Sequence, residues 1–374
     1  MTLPKRHLDQ LKRRKENNSL RSLKLVDSLI DFSSNDYLGL ARNAELANEI
    51  HLKSNNQRNG SGGSRLLTGN NELFEETEKF LSKQFRAEST LLFNSGYDAN
   101  LAVLSSIPQR GDIILYDELS HASIKDGIRL GLASKTSFKH NDLIDLEKKL
   151  SKDQTGDKYI VIESIYSMDG DEANLNELVK LSLKYNAYLI VDEAHAAGLY
   201  GKNGGGLSEL YGLQNDIFCR IYTFGKAPGV HGAAVAGTVE LIKYLINFAR
   251  PFIYTTALPA HSCLSIQTTM RYIADNNRIQ NAVFENVNHY LRKFQKKLKG
   301  QFSRTISNHP IQTIITPGND YARSLSEHLL AKGFDVRPIL APTVKEGEER
   351  LRICLHSYNS TDEISSLVDT LATY

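Results

Sequence analysis

Five short apolar runs, each followed by polar residues, constrain the fold of this chain more than any other feature. They lie in "STLLFNSGYDAN", "GDIILYDELSHASI", "KYIVIESIYSMDGD", "YLIVDEAHAAG" and "FCRIYTFGKAPG". Amphipathic stretches such as "LNELVKLSLKYN" separate several of them. Apolar strands that alternate with helices predict an α/β fold with a mainly parallel sheet and helices on both faces. Right-handed crossovers then bring the carboxyl ends of the strands to one edge, where such sheets bind ligands.

The remaining sequence predicts three parts. Residues 1–45 are expected to form an N-terminal helical segment, 46–270 a large cofactor-binding domain and 271–374 a small C-terminal α/β domain. We expect a strand and turn over 29–40, a glycine-rich loop over 59–69 and a long helical stretch over roughly 258–299. Strands are expected at "IQTIIT", "GFDVRPIL" and "RLRICLH" in the small domain.

Composition excludes several classes of protein. Hydrophobic residues make up 41% and charged residues 24% of the 374 residues, which is typical of globular chains. No apolar run reaches the roughly 18 residues that a membrane span needs, and the N-terminus has no apolar signal core. Cys219, Cys263 and Cys354 are far apart and show no metal-ligand spacing. We therefore expect a cytoplasmic protein with no membrane partner and no metal site.

The basic N-terminal stretch has two interpretations. It reads "KRHLDQLKRRK" from residue 5 and would suit an arm that binds nucleic acid. Leu8, Leu11 and the polar residues that follow favour a solvated amphipathic helix instead. The net charge of +2 does not require an anionic partner, so no nucleic acid is expected.

The stretch Asp192-Glu193-Ala194-His195 also has two interpretations. It resembles the magnesium and ATP site of helicases, but a helicase also needs a G-x-x-x-x-G-K-[ST] phosphate loop. The chain has none, because Ala227 follows Lys226 and position 220 is arginine. The alternative is a strand-end acid that holds the ring nitrogen of a pyridine cofactor, which also requires a lysine, phosphate donors and a flat side chain over the ring. The polar clusters supply all of these, at Gly96, Tyr97, His121, Ser167, Asp192, His195, Thr223 and Lys226.

Several motifs together resemble one enzyme family. "FSSNDYLGL", "GSGGSRLLTG", "SMDGD", "DEAH", "TFGK" and "PFIYTTALP" are similar to the α-oxoamine synthases, which are fold-type-I pyridoxal-phosphate enzymes. The resemblance runs from about residue 18 to the C-terminus. It implies a pyridoxal 5'-phosphate-dependent acyltransferase and, within the family, the member that condenses L-alanine with a pimeloyl thioester in biotin biosynthesis. The thioester would be carried by coenzyme A or by an acyl-carrier protein.

Alternatives to this activity stay open. Glycine C-acetyltransferase and long-chain acyl members would share every cofactor residue. A cofactor-binding protein without turnover is a third possibility. The resemblance also implies a homodimer in which "GSGGSRLLTG" approaches the site of the neighbouring subunit.

The resemblance assigns cofactor roles to the clustered residues. Lys226 would bind the cofactor aldehyde and later remove the α-proton, and Asp192 would pair with the pyridine nitrogen. His121 would stack on the ring. The remaining assignments are the phenolic oxygen for His195 and Ser167, and the phosphate for Thr223 and for the amides of Gly96 and Tyr97. The alternatives are a surface lysine for Lys226 and a helix N-cap or magnesium ligand for Asp192. For His121 the alternative is a capping or core histidine, for His195 a structural histidine, and for Thr223 and Ser167 a turn residue.

Four further residues resemble substrate contacts. Arg352 would pair with the amino-acid carboxylate, although Arg350 lies two residues away on the same strand and is an alternative. Arg21 and Thr343 resemble residues near the acyl substrate, and Asn35 resembles one at the mouth of the site. The stretch "AHAAG" lacks the family's usual hydroxyl residue and "GKAPG" contains an unusual Pro228, which affects only the expected substrate preference.

Overall fold

The computed structural model describes residues 2–23, 28–153 and 155–374. Its internal contacts divide the chain into two compact units. The larger unit comprises Asp36–Ser167 and Glu172–Gln280, and the smaller unit comprises Met1–Asn35, Met168–Asp171 and Asn281–Tyr374. The division into three parts predicted from the sequence, with boundaries at residues 45 and 270, stays a prediction.

A seven-stranded sheet forms the centre of the larger unit. Its strands are β2 (Ser89–Phe93), β3 (Ile113–Asp117), β4 (Ser134–Phe138), β5 (Lys158–Glu163), β6 (Ala187–Asp192), β7 (Cys219–Thr223) and β8 (Ala233–Gly237). The spatial order is β2-β8-β7-β6-β5-β3-β4. Only β8 is antiparallel to its neighbours, and all other adjacent pairs are parallel. The predicted mainly parallel sheet is therefore confirmed.

Helices pack on both faces of this sheet. Side chains alternate between faces along a strand, so Ile114 and Leu115 of β3 belong to two different apolar clusters. The helices of this unit are α2 (Ala44–Ser54), α3 (Glu72–Gln84), α4 (Gly96–Ser106), α5 (Ala122–Leu130), α6 (Leu143–Leu150), α7 (Leu175–Lys184), α8 (Gly206–Leu210), α9 (Val239–Phe248), α10 (Arg250–Ile253) and α11 (Ala260–Asp275). One cluster includes residues of α4, α5 and α9, and the other includes residues of α6 and α7.

Helices α4 and α5 lie unusually close together. A Cβ atom at Gly127 of α5 would lie 2.9 Å from the carbonyl oxygen of Asn100 and 3.0 Å from the Cβ of Leu104, both in α4. Glycine is therefore required for this approach. The contact matters for function, because both helices begin at the edge of the sheet that carries the predicted cofactor residues.

The smaller unit is also α/β, as predicted. Strands β11 (Arg337–Ile339), β12 (Arg350–Cys354) and β9 (Ile311–Ile315) form an antiparallel sheet, and β1 (Ile30–Asp31) pairs in parallel with β10 (Phe334–Asp335). Its helices are α1 (Lys5–Glu16), most of α12 (Asn277–Lys297), α13 (Asn319–Ala331) and α14 (Thr361–Ala372). The run "GFDVRPIL" was expected to be one strand but forms two, because its halves pair with different partners, β1 and β12.

The prediction of one long helical stretch over 258–299 is wrong in one respect. It is two helices, α11 and α12 (Asn277–Lys297), separated at Asn276, whose φ and ψ are −129° and 61°. The Asn276 side chain donates to the carbonyl oxygen of Tyr272 at 2.8 Å. An asparagine side chain that bonds to a nearby backbone carbonyl competes with the hydrogen bonds of a continuing helix, which explains the break. No helix in the described part of the chain is long and apolar enough to span a membrane.

Candidate active site

The larger unit brings the predicted cofactor residues to one edge of its sheet. Strands β2, β3, β5, β6 and β7 point the same way, and the residues follow or end them. Asp192 and Thr223 are the last residues of β6 and β7, while Gly96, His121, Ser167, His195 and Lys226 follow within a few residues of a strand end. The convergence of the strand ends predicted from the sequence is confirmed.

Asp192 is a buried carboxylate with two donors from the protein. Asp192 is only 5% exposed to solvent. One oxygen accepts from Asn100 Nδ2 at 2.7 Å and the other from the amide of Ala194 at 2.9 Å. Burying a carboxylate costs free energy unless hydrogen bonds replace the lost solvation. These two hydrogen bonds therefore help to stabilise the buried Asp192 side chain.

Glu163 is a second buried carboxyl group beside Asp192. The two residues are register partners at the ends of β5 and β6. Glu163 Oε1 accepts from the amide of His121 at 2.6 Å, and the amide of Ser167 also bonds to this side chain. Burial raises the pKa of Glu163 to about 8, and the negative charge of Asp192 adds to this, while the positive charge of Lys226 opposes it. Glu163 is therefore largely protonated at pH 7.

His121 lies at the N-terminus of α5 with its ring partly accessible to solvent. Its Nδ1 lies 2.7 Å from Ser123 Oγ and accepts from the Ser123 amide at 3.2 Å, which makes His121 the N-cap of the helix. Desolvation lowers the pKa of the His121 imidazole below its ordinary value, with Asp192 opposing this and Lys226 adding to it. The accessible ring is suited to cover a flat ligand.

His195 is held by a tyrosine. Its Nδ1 lies 2.8 Å from the hydroxyl of Tyr37, and both residues are buried. The hydrogen bond fixes the orientation of the imidazole that follows β6. Tyr37 is in the "SSNDYLGL" motif, so this contact gives that motif a structural role in the larger unit.

The start of α4 and the end of β7 carry groups that are suited to anion binding. Gly96 lies so close to Thr223 that a Cβ atom on Gly96 would overlap the Thr223 hydroxyl. The first amides of an α-helix have no partner within the helix and favour negative charge. The Tyr97 hydroxyl bonds to Asp126 instead, so Tyr97 offers only its backbone amide to an anion here.

A tight turn holds Lys226. The amide of Gly229 donates to the Lys226 carbonyl oxygen at 2.8 Å, and the amide of Val230 donates to the Phe224 carbonyl at 2.9 Å. Gly229 has a φ of +69°, and a Cβ there would overlap the amide of Ala41. Since the charge of Lys226 acts on both Glu163 and His121, its amine belongs to the same electrostatic cluster.

The four predicted substrate residues lie in the smaller unit, where they form two pairs. Arg352 donates to Asn35 Oδ1 at 2.9 Å, and Arg21 donates to Thr343 Oγ1 at 3.1 Å. Arg350, the alternative to Arg352, forms a buried ion pair with Asp169. This pair gives Arg350 a structural partner and leaves Arg352 as the stronger candidate for a substrate carboxylate.

The donors of the larger unit fit pyridoxal phosphate. Helix amides, the Thr223 hydroxyl and a glycine without a side chain suit a phosphate, and a carboxylate at Asp192 suits a protonated pyridine nitrogen. An accessible imidazole and a lysine complete the set. The individual roles stay predictions.

Four residues at this edge were missed by the sequence analysis: Tyr37, Asn100, Ser123 and Glu163. Two had a detectable signal. Asn100 follows Gly96 by four residues, hence on the same face of α4. Glu163 ends an apolar run in the same way as Asp192. Tyr37 and Ser123 have no such signal, because their roles depend on partners far away in the sequence or on a helix cap.

Comparison with known proteins identifies the family. A family model described as aminotransferase class I and II matches residues 27–371. The chain belongs to this pyridoxal-phosphate-dependent family. The recognised resemblance and the expected fold are thereby confirmed.

Named relatives narrow the comparison. An 8-amino-7-oxononanoate synthase of Emericella nidulans is 39% identical over 98% of this chain and 94% of its own. A solved structure of 8-amino-7-oxononanoate synthase from Francisella tularensis is 29% identical, with a TM-score of 0.81 over 93% of this chain and 98% of its own. The structure of Sphingomonas wittichii serine palmitoyltransferase is 25% identical, with a TM-score of 0.93 over 100% and 98% of the two chains.

The raised pKa of Glu163 predicts a pH dependence of stability. Between the ordinary value of 4.5 and about 8, the unfolded chain has lost this proton while the folded chain keeps it. The contribution of Glu163 to the free energy of unfolding then falls as pH rises through this window, by on the order of 1 kcal/mol per pH unit. Glu163→Gln keeps a carbonyl acceptor for the two amides but does not titrate. We expect the variant to gain stability relative to wild type as pH rises from 5 to 8, measured by urea unfolding of cofactor-free protein.

The exposed Glu76 provides the control. Glu76→Gln makes the same chemical change at an exposed position and gives the reference against which the pH dependence of Glu163→Gln is compared. A difference between Glu163→Gln and wild type that stays constant from pH 5 to 8 would show that Glu163 titrates normally.

Proposed function

We propose that this chain catalyses the decarboxylative condensation of L-alanine with a pimeloyl thioester to give 8-amino-7-oxononanoate, a step of biotin biosynthesis. The observation that carries the proposal is the cluster of Asp192, Lys226 and His121 at one edge of the sheet, in a chain 39% identical to a relative with that name. In this reaction the alanine Cα bonds to the acyl carbon, the carrier thiol leaves, and the alanine carboxylate departs as carbon dioxide.

Asp192, Lys226 and their neighbours at this edge of the sheet each have a part in the proposed reaction. When bound, pyridoxal phosphate supplies a cationic ring that accepts the electron pair left on the amino-acid Cα. Asp192, held by Asn100 and Ala194, keeps the proton on the pyridine nitrogen. The Lys226 amine moves the proton at the alanine Cα. Thr223 and the α4 amides bind the phosphate, and His195, with Ser167, binds the phenolic oxygen.

In this proposal Arg352, Asn35, Arg21 and Thr343 are the substrate residues. Arg352 pairs with the alanine carboxylate, since a planar guanidinium can donate two parallel hydrogen bonds to a carboxylate. Its bond to Asn35 Oδ1 holds the guanidinium in one orientation. Arg21 and Thr343 contact the acyl substrate, and their mutual hydrogen bond supports this grouping.

The proposal includes a second copy of the chain and a cytoplasmic location. Leu66 and Leu67, in the "GSGGSRLLTG" loop, are 50% and 81% exposed, and apolar side chains at this level of exposure suit burial against another chain. A homodimer would cover them. The acyl carrier is either coenzyme A or an acyl-carrier protein.

A second candidate follows from the structural comparison. The TM-score of 0.93 with a serine palmitoyltransferase exceeds the 0.81 with an 8-amino-7-oxononanoate synthase. The sequence favours the other activity, because the identity is 25% for the former and 39% for a relative named for the latter. L-serine with a palmitoyl thioester is therefore the rival pair of substrates.

A matrix of substrates tests the proposal. L-alanine, glycine and L-serine would each be combined with acetyl, pimeloyl and palmitoyl thioesters of coenzyme A, and with the pimeloyl thioester of an acyl-carrier protein. We expect the highest kcat/KM with L-alanine and one of the pimeloyl thioesters, measured by thiol release and by the mass of the product. A higher kcat/KM for L-serine with the palmitoyl thioester, or for glycine with the acetyl thioester, would contradict the proposal and indicate a related acyltransferase activity instead.

The role of Arg352 gives a separate prediction. Arg352→Ala should weaken L-alanine binding by about tenfold or more, because a charge-assisted hydrogen bond contributes roughly 1.5–3 kcal/mol. Cofactor affinity should change little. The measurement is a titration of L-alanine into the holoenzyme, followed by the visible absorption of the cofactor.

Two further variants make this measurement specific. Arg292→Ala removes an exposed arginine of α12 and should leave alanine affinity unchanged. Arg350→Ala leaves Asp169 buried without its ion pair and should reduce stability more than alanine affinity. Equal alanine affinity in wild type and Arg352→Ala would remove Arg352 from the substrate site.

A further inference from the structure

A chain of hydrogen bonds connects Asp192 to His121 through Asn100 and Ser123, and the proposed mechanism gives neither residue a contact with substrate or cofactor. Asn100 Nδ2 donates to Asp192 Oδ2 at 2.7 Å and to Ser123 Oγ at 3.1 Å. Ser123 Oγ lies 2.7 Å from His121 Nδ1. Asn100, Ser123 and Asp192 are all buried. Because these groups are buried, leaving any of their donors or acceptors without a suitable hydrogen-bond partner would cost free energy.

Asp192 fixes the direction of the first hydrogen bond. A carboxylate oxygen only accepts, so the Asn100 amide must turn its nitrogen toward Asp192. The opposite orientation would place Asn100 Oδ1 against Asp192 Oδ2 at hydrogen-bond distance. Asn100 Oδ1 is buried and finds no donor among the described residues, so the two donated bonds determine the orientation of this amide.

The amide in turn fixes the serine hydroxyl and the imidazole. Since Ser123 Oγ accepts from Asn100, its own hydrogen is directed to His121 Nδ1. The backbone amide of Ser123, which can only donate, also points to Nδ1 at 3.2 Å. Nδ1 therefore accepts from two donors and carries no hydrogen. In a neutral imidazole the proton is then on Nε2.

Protonation of Nδ1 is opposed by the same contacts. It would remove the N-cap of α5 and place a positive charge at the N-terminus of a helix, where the helix dipole disfavours cations. Desolvation also lowers the pKa of His121. The titratable groups that face His121 are Asp192, Lys226, Lys125, Asp126 and Glu163.

We infer that Asn100 and Ser123 are positioning residues that hold His121 as a neutral imidazole with its proton on Nε2. The ring can then donate a hydrogen bond to an oxygen without carrying a charge. Under the proposed function that oxygen is the carbonyl oxygen of the acyl thioester, and only this last assignment rests on the proposed function. The tautomer itself follows from the hydrogen bonds of the larger unit.

NMR of the full chain with cofactor bound and with ¹⁵N-labelled histidine rings tests the inference without measuring turnover. His121→Gln identifies the His121 signals by their loss. Wild type should show a protonated Nε2, an unprotonated Nδ1 and a titration midpoint below that of an ordinary imidazole. A protonated Nδ1 in the neutral ring would overturn the inference, whether or not the enzyme proves to use L-alanine.

Variants then separate the two positioning residues from the rest of the fold. Ser123→Ala should raise the His121 midpoint by roughly half to one pH unit, which corresponds to the loss of one neutral hydrogen bond. Ser123→Thr keeps the hydroxyl and should restore the wild-type midpoint. Asn100→Ala frees the hydroxyl to rotate and should raise the midpoint by a smaller amount.

The matched control is Ser106→Ala. Ser106 is a buried serine of α4 whose hydroxyl donates to the Ala102 carbonyl, so its loss should leave the His121 midpoint unchanged. An unchanged midpoint in folded Ser123→Ala and Asn100→Ala would show that these residues do not control the imidazole.

Discussion

A carboxylate buried at the end of β6 is the constraint on which the rest of this site depends. Asp192 must be held without bulk water, and Asn100 and the Ala194 amide supply the donors. The Asn100 donor is in place because α4 begins at the same edge of the sheet, where it packs tightly against α5 at Gly127. The close approach of the two helices, the direction of the strands and the buried acid are therefore parts of one arrangement.

The same carboxylate organises the groups around it electrostatically. Its charge helps to keep Glu163 protonated, and Lys226 acts in the opposite sense. Through Asn100 and Ser123 it also determines which nitrogen of His121 carries the proton. Together with burial, one negative charge at a strand end thus acts on the protonation of two neighbouring groups, and such control suits acid–base chemistry at neutral pH.

Most of this site could be predicted from the sequence, because strand ends carry local signals. Asp192, Thr223 and His121 each follow an apolar run, and parallel strands bring such residues together. The supporting residues were harder to predict. Ser123 acts through a helix cap and a side chain 23 residues away, and Tyr37 acts on His195 across 158 residues. Such partners depend on tertiary packing, which hydrophobic periodicity does not encode.

The fold shows the same division between local and distant information. The strands that lie between amphipathic helices were predicted, whereas β4 and β8 were not, because "SKTSF" and "AAVAG" are not strongly apolar runs of large side chains. The expected helix over 258–299 breaks at Asn276, whose side chain donates to the backbone carbonyl oxygen of Tyr272. The two short strands in "GFDVRPIL" follow from their pairing partners.

The most direct test of this account is to locate the lysine that binds the cofactor. Holoenzyme would be reduced with borohydride, digested and mapped by mass spectrometry, with Lys125→Ala as the control, since the charge of Lys125 also acts on His121. The account predicts that the reduced cofactor is on Lys226 in both proteins. A label on Lys125 or on any other lysine, or a label that is absent although the cofactor remains bound, would contradict it.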